Sequence, residues 1–435
     1  MKWLVDVSPL RDSRDYRRLF AGQSVAYLGS QLTTVAIPFQ VYELTHSSLA
    51  VGMIGLVSLV PLITLSLFGG AVADAVDRRK LLVATQVALG LTSAVLALNA
   101  LRPHPSLWPI YACAALAAGL AGVDLPTRQA ILPNLVPREK FAAAASLSQV
   151  LFQVGSVAGP ALAGLIIAQV SLAAAYWIDA ATAAAAIAGA LAISPQPPEG
   201  GGRKAGLSSI QEGLAFLKGK RLLLGTFLID INAMVFGMPR ALFPALGTGL
   251  YHGGPATVGL LYAAPGAGAL IGALTTGWVG RVKQQGKAVI LAVMAWGAAI
   301  AGFGLTPWLP LGLLLLALAG AADVVSAVFR STILQLSAPD QLRGRLSSVH
   351  IAVVTGGPRV GDAEAGGVAA LTTPQISVVS GGLACVAGAL ILAKALPDLA
   401  RHQAPYNRGR EPDHGNGAGR GSEPWLSFEK EGPDG

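Results

Sequence analysis

Charge is scarce in this chain: Asp, Glu, Lys and Arg together make up 12% of its 435 residues, whereas hydrophobic residues make up 53%. A water-soluble domain carries about twice that share of charge, so a mainly aqueous protein is excluded. Cysteine is nearly absent. Cys113 and Cys385 both fall inside apolar stretches far apart in sequence, which leaves no basis for a disulfide framework or a metal cluster. Six histidines lie mostly in loops and in the C-terminal tail, without the spacing of metal ligands. Also missing are a Gly-x4-Gly-Lys-Ser/Thr phosphate loop, a serine-centred elbow and a Cys-x-x-Cys pair. ATP hydrolysis, a bound cofactor and enzyme chemistry therefore have nothing to rest on.

What the chain has in abundance is apolar length. Its mean hydropathy is +0.57, and stretches of the roughly 20 residues needed to cross a bilayer recur with only short polar breaks. Runs of low charge bounded by Arg, Lys, Pro or Gly predict helices over 19–42, 49–73, 81–101, 107–130, 141–169 and 171–193. A second set follows over 221–249, 257–279, 287–306, 308–333, 344–371 and 375–396. The expectation is an all-α membrane protein of about twelve spans in two six-helix bundles, 19–193 and 221–396. A cytoplasmic N-terminus (1–18), a Pro- and Gly-rich cytoplasmic linker (194–220) and a disordered cytoplasmic tail (397–435) complete it.

The net charge of +8 does not point to nucleic acid, because the basic residues sit in alternate short connections rather than on one face. Arg78, Arg79 and Lys80, then Arg138 and Lys140, then Arg203 to Arg221, then Arg281, Lys283 and Lys287, then Arg343 and Arg345 mark one side. The intervening connections hold a single basic residue, Arg102. By the positive-inside rule the basic loops are cytoplasmic. Residues 1–18 lack the apolar core and cleavage site of a secretion signal. A multi-pass protein of a bacterial cytoplasmic membrane, with both termini inside, is expected.

An internal repeat supports the two halves. Thr127 to Pro137 lies without gaps on Phe329 to Pro339, pairing Arg128 with Arg330, Ile131 with Ile333 and Leu132 with Leu334, an offset of 330 − 128 = 202. At that offset Gly70 falls on Gly272, Arg79 on Arg281, Gly155 on Gly357 and Gly159 on Gly361. A parallel repeat of this length implies two bundles related by a pseudo-two-fold axis along the membrane normal.

After the second span the chain reads Gly70-Ala71-Val72-Ala73-Asp74-Ala75-Val76-Asp77-Arg78-Arg79-Lys80. Here it resembles the cytoplasmic motif of the major facilitator superfamily, with Asp77 at the usual second glycine. Gly70 permits close helix contact, and Asp74 is able to pair with Arg78 or cap a neighbouring helix; read alone, the basic run is equally a topological anchor. The fifth span contains Gly155, Gly159, Pro160 and Gly164, similar to the superfamily's antiporter motif, with Ala163 in place of one glycine. Small residues four apart let backbones approach, and Pro160 removes a helix hydrogen bond. Generic packing explains such spacing too, but the two motifs together favour export.

Ionisable residues deep in a span are expensive and default to function. Asp230 in the seventh span and Arg359, Asp362 and Glu364 in the eleventh are the proton-coupling candidates. Arg359 and Asp362, three apart, share a face and are placed to neutralise each other, whereas Glu364 points elsewhere. Glu364 and Asp230 are thus the primary proton sites, with a purely structural ion network as the alternative reading. Asp124 and Arg128, one turn apart, read as a structural or gating pair. Gln31, Thr34, Gln149, Gln153, Asn232 and Arg240 are candidates to line a cargo cavity, the last two beside a kink at Gly237-Met238-Pro239.

The seventh span (Asp230 to Pro244) and the eleventh (Gly357 to Gly366) resemble the superfamily branch of siderophore exporters of the enterobactin type and drug:proton antiporters. That resemblance, over about residues 10 to 396, implies export of a small amphipathic molecule by a monomer that exchanges it for protons through alternating access. An importer or facilitator of the same fold, a non-transporting membrane scaffold and a membrane-embedded enzyme remain as rival readings.

Overall fold

In the computed structural model the described residues are 6–197, 219–337 and 340–403. Most of the 194–220 linker and residues 404–435 of the tail lie outside them. The spanning helices are α1 (Arg14–Thr45), α2 (Ser48–Ala75), α3 (Arg78–Ala100), α4 (Leu107–Leu135), α5 (Phe141–Gln169) and α6 (Leu172–Leu191). The second set is α7 (Arg221–Phe236, with a broken continuation to Leu250), α8 (Pro255–Thr275), α9 (Gln285–Leu305), α10 (Leu309–Ser337), α11 (Asp340–Leu371) and α12 (Pro374–Ala395). Ten are apolar enough to cross a bilayer on composition alone. The two outside that group, α1 and α11, hold Gln23, Gln31, Thr33 and Thr34 in one case and Arg359, Asp362 and Glu364 in the other. Leu91, Trp108, Leu274, Leu291, Leu371 and Ile391 are among the large apolar side chains left exposed, as expected where lipid is the solvent.

The repeat is visible in the helix ends. At the offset of 202, α4 maps onto 309–337, the bounds of α10, and α6 starts where α12 starts, at Pro374. Within the first half α1 and α3 pack on α6, and α2 and α3 on α4. Within the second, α9 packs on α10 and α12, and α8 on α10. The halves join through α5 with α8 and α2 with α11, pairs that the pseudo-two-fold axis exchanges.

Those two seams close at the end of the molecule opposite the basic loops. A Cβ on Gly52 or Gly55 would strike the backbone of Asp362 or Arg359, and one on Gly366 would strike Ser48. On the other seam Gly164 abuts Pro255 and Gly259, and Gly259 abuts Pro160. Bare backbones approach closely at these points because no side chain intervenes. Nearer the basic loops, Gly268 and Gly272 pack instead on α10 of their own half.

Three local departures from the sequence expectation have physical causes. First, α1 begins at Arg14, not near residue 19, because the Ser13 hydroxyl accepts the Tyr16 N–H at 3.1 Å and caps it. Second, the seventh span is not one continuous helix over 221–249. It stops at Phe236, and after Pro239, which lacks an N–H, the chain resumes as a 3-10 turn at Arg240–Leu242 and loosens into a π turn at Leu246–Leu250. Third, the tail is not disordered from its first residue: Pro397–Arg401 forms a helical turn whose Leu399 is fully buried against Gly225 and Gly286. The Leu399 side chain meets Gly225, its carbonyl meets Gly286, and the Gly286 N–H donates to the His402 carbonyl.

Candidate transport site and gating elements

The break in α7 builds the centre of the second half. It leaves polar backbone groups without helical partners, and in a lipid-surrounded bundle these must be satisfied internally. Trp296 of α9 donates its indole N–H to the Gly237 carbonyl at 2.9 Å. On the other side, Asp362 of α11 accepts the Ala241 N–H at 3.1 Å. Arg240, between these ties, is exposed, and its charge acts on Asp362, Asp323, Tyr27 and Tyr262. The Tyr262 hydroxyl donates to the Arg240 carbonyl at 3.0 Å. Tyr27 belongs to α1 and stacks on Phe152 of α5, so this cation also looks across to the first half.

The eleventh-span trio does not form the arrangement expected of it. Arg359 turns back along its own helix and donates to the Thr355 carbonyl at 2.6 Å. It makes no ion pair with Asp362 within 4 Å, although the two charges act on each other at longer range. Asp362 is drawn away by the free N–H of the α7 break. Glu364 has no hydrogen bond or ion pair among the described residues; it lies about 200° round the helix from Asp362, on the side of the exposed Val360 and Leu371.

Nor is Asp230 free of a cation. It sits 2.7 Å from Arg330 of α10, both buried. The two atoms are poorly aligned for a hydrogen bond, so charge rather than a directed bond holds them. Asp323, two turns back from Arg330 on α10, lies 3.9 Å from the same guanidinium. The repeat counterpart Arg128 pairs instead within its own helix, with Asp124 at 2.5 Å. Asp124 also accepts from Thr85 at 3.1 Å and Gln86 at 2.9 Å on α3.

Around the motif loop, Asp77 proves to be the N-cap of α3, accepting the Arg79 and Lys80 N–H groups at 2.9 and 3.3 Å. That is why an acid serves where the superfamily usually has glycine. Arg78 donates to the Ala130 carbonyl of α4 at 3.1 Å, and Arg79 to the Leu191 carbonyl at the end of α6, where helix C-termini favour cations. The backbone of Gly70 and Asp74 is helical; their side-chain surroundings lie outside the described residues.

The antiporter-motif glycines divide between two neighbours. Gly155 and Gly159 press on Tyr27 and Gln31 of α1, and Gly164 on α8 across the seam. Of the cavity candidates, Thr34 and Gln149 are exposed, and Gln31 and Gln153 partly so. Asn232 is elsewhere: buried, it donates to the Cys385 carbonyl at 2.8 Å and ties α7 to α12. Two charged residues escape the list drawn from sequence, Asp323 and Asp179. Both stand alone in long apolar runs, the signal that singled out Asp230.

The chain is 30% identical over 403 residues to the enterobactin exporter EntS of Citrobacter koseri, covering 93% of this chain and 97% of that one. It is 31% identical over 399 residues to the EntS protein of Shigella boydii, covering 92% and 96%. The fold superposes on the nucleoside transporter NupG with a TM-score of 0.70 at 12% identity, over 89% of this chain and all of the other. The family model for transmembrane secretion effectors matches residues 5–415; the chain belongs to that family, and it is a multi-pass membrane transporter of the major facilitator superfamily.

Proposed function

We propose that the chain is a proton-driven exporter of a small amphipathic molecule, a siderophore of the enterobactin type or a drug of similar character. It works as a monomer in a bacterial cytoplasmic membrane, with the basic loops and both termini in the cytoplasm. The export role of its enterobactin-exporter relatives supports the direction, and the alternation of basic loops supports the orientation. In that orientation the close glycine contacts of the two seams lie on the outer side.

The observation that carries the reading is the placement of Asp362. One side-chain oxygen holds the restarted end of α7, the Arg240 charge acts on the same carboxylate, and its backbone carbonyl lies against Gly52 in the α2–α11 seam. A proton arriving there weakens the grip on α7, frees Arg240 for an anionic group of the cargo, and does so beside the contact that must part for outward opening. Asp230, relayed through Arg330 to Asp323, is the second acid of the path, and Glu364 a peripheral one. The segment from Gly70 to Arg79, the end of α2 and the start of α3, acts as the cytoplasmic gate.

The test is cargo accumulation in energised inverted vesicles with and without an uncoupler. Wild type accumulates in an uncoupler-sensitive way; Asp362→Asn and Asp230→Asn, compared with wild type at equal amounts of inserted protein, lose the sensitive fraction. Uncoupler-insensitive flux in wild type, or wild-type efflux from both variants, rejects proton antiport at these residues.

A further inference from the structure

We propose that Asp179, with Thr33 and Ser93, forms a proton-binding site in the first half, separate from the arginine-associated acids of the second. Asp179 lies on α6 near its middle. One of its oxygens, Oδ2, accepts the Thr33 hydroxyl of α1 and the Ser93 hydroxyl of α3, each at 2.6 Å. No cation comes within 4 Å of it among the described residues. The other described acids in the spans, Glu364 and the exposed Glu43 near the end of α1 apart, have an arginine acting on them: Asp15 has Arg18, Asp124 has Arg128, Asp230 and Asp323 share Arg330, and Asp362 has Arg240. Two neutral hydroxyls are a poor counterweight to a full negative charge in a lipid-surrounded bundle.

The surroundings leave Asp179 as the sole titrating group there. Helix α5 carries no titratable side chain, and α3 none beyond Lys80. In the central part of α1 only Tyr27 titrates, and it is stacked on Phe152. On α6, Tyr176 spends its hydroxyl on Gln40 at 2.8 Å. The site is also without a twin: at the offset of 202 its three residues become Gly381, Val235 and Ala295, so it is not a remnant of the repeat. When a hydronium delivers its proton to a carboxylate oxygen, an O–H bond forms, one water is released, and the neutral acid has one acceptor fewer to offer the hydroxyls. Helices α1 and α3 are then held less firmly to α6. Since α1 also carries Gln31 against the antiporter motif, the state of this site reaches the α1–α5 contact. Its role in the cycle rests on the proton-antiport reading; its existence does not.

Infrared difference spectroscopy of the purified full-length chain in lipid, titrated with pH, reads protonated carboxyl groups directly and needs no transport. One carbonyl band of a protonated acid is expected to vanish in Asp179→Asn, to change wavenumber in the Thr33→Val/Ser93→Ala double variant, and to persist in Asp362→Asn. If Asp179→Asn does not accumulate, the double variant carries the test, because both acid and fold are retained. An unchanged band set in Asp179→Asn, or in the double variant, overturns the proposal. Loss of the band on adding sodium at fixed pH also overturns it, as a metal-cation site. Failure of the antiport reading is a separate result, seen only in the vesicle assay.

Discussion

The two halves share a backbone and differ in where they put charge. At positions where the second half has Asp230, Arg240, Arg359, Asp362 and Glu364, the first has Leu28, Pro38, Val157, Pro160 and Leu162. Where the first half places Pro160 inside a continuous α5, the second sets a carboxylate and interrupts a different helix, α7. Arg128 finds its acid one turn away on the same helix, whereas Arg330 finds its nearer acid on another and a second, Asp323, at 3.9 Å on its own. Duplication therefore conserved the packing frame and left the chemistry free to diverge. The second half holds most of the ionic work, and the first retains, in Asp179, a buried acid held by hydroxyls alone.

The largest effect expected from that asymmetry is on stability. Arg330→Ala strands Asp230 as a buried charge and should cost about 3–5 kcal/mol, read as a steep loss of folded protein in thermal unfolding in detergent. Arg128→Ala leaves Asp124 the Thr85 and Gln86 hydrogen bonds that Asp230 lacks and should cost less than Arg330→Ala. Equal losses would erase the distinction between the two arginines.

Next come the seams, which the symmetry predicts to be equivalent. Gly52→Leu on one and Gly259→Leu on the other should each penalise the closed end by about 1–3 kcal/mol. That amounts to roughly a 5- to 150-fold shift of population towards a state open there. Accessibility of cysteines introduced along the outer seam measures it, and a response from only one seam would break the pseudo-symmetry. Smallest is the cap: Asp77→Ala should lower stability by about 1 kcal/mol and Asp77→Gly by only a few tenths. A change in transport rate larger than this would assign Asp77 to the gate itself.

Much of this was legible in the sequence because lipid imposes simple demands. Span number and the repeat follow from hydropathy and spacing, which local composition carries, and Gly164 was singled out by its small-residue spacing, whereas the other seam glycines, Gly52, Gly55, Gly259 and Gly366, were not. Partner choice was not legible, since it depends on which loose backbone group lies nearest. Asp362 and Arg359 are well spaced to pair, yet the Ala241 N–H and the Thr355 carbonyl claim them separately. Arg330 was found as a repeat position, but its acid lies 100 residues back on α7. Asn232 was placed beside the kink, and one helical face decides that it meets Cys385 rather than the cleft.

The interruption at Gly237-Met238-Pro239 has a kinematic consequence. Its two ends are fastened to different neighbours, the earlier to α9 through Trp296 and the later to α11 through Asp362. Relative rotation of those two walls therefore needs only a few backbone dihedrals to turn, at a point where no intrahelical ladder must be torn.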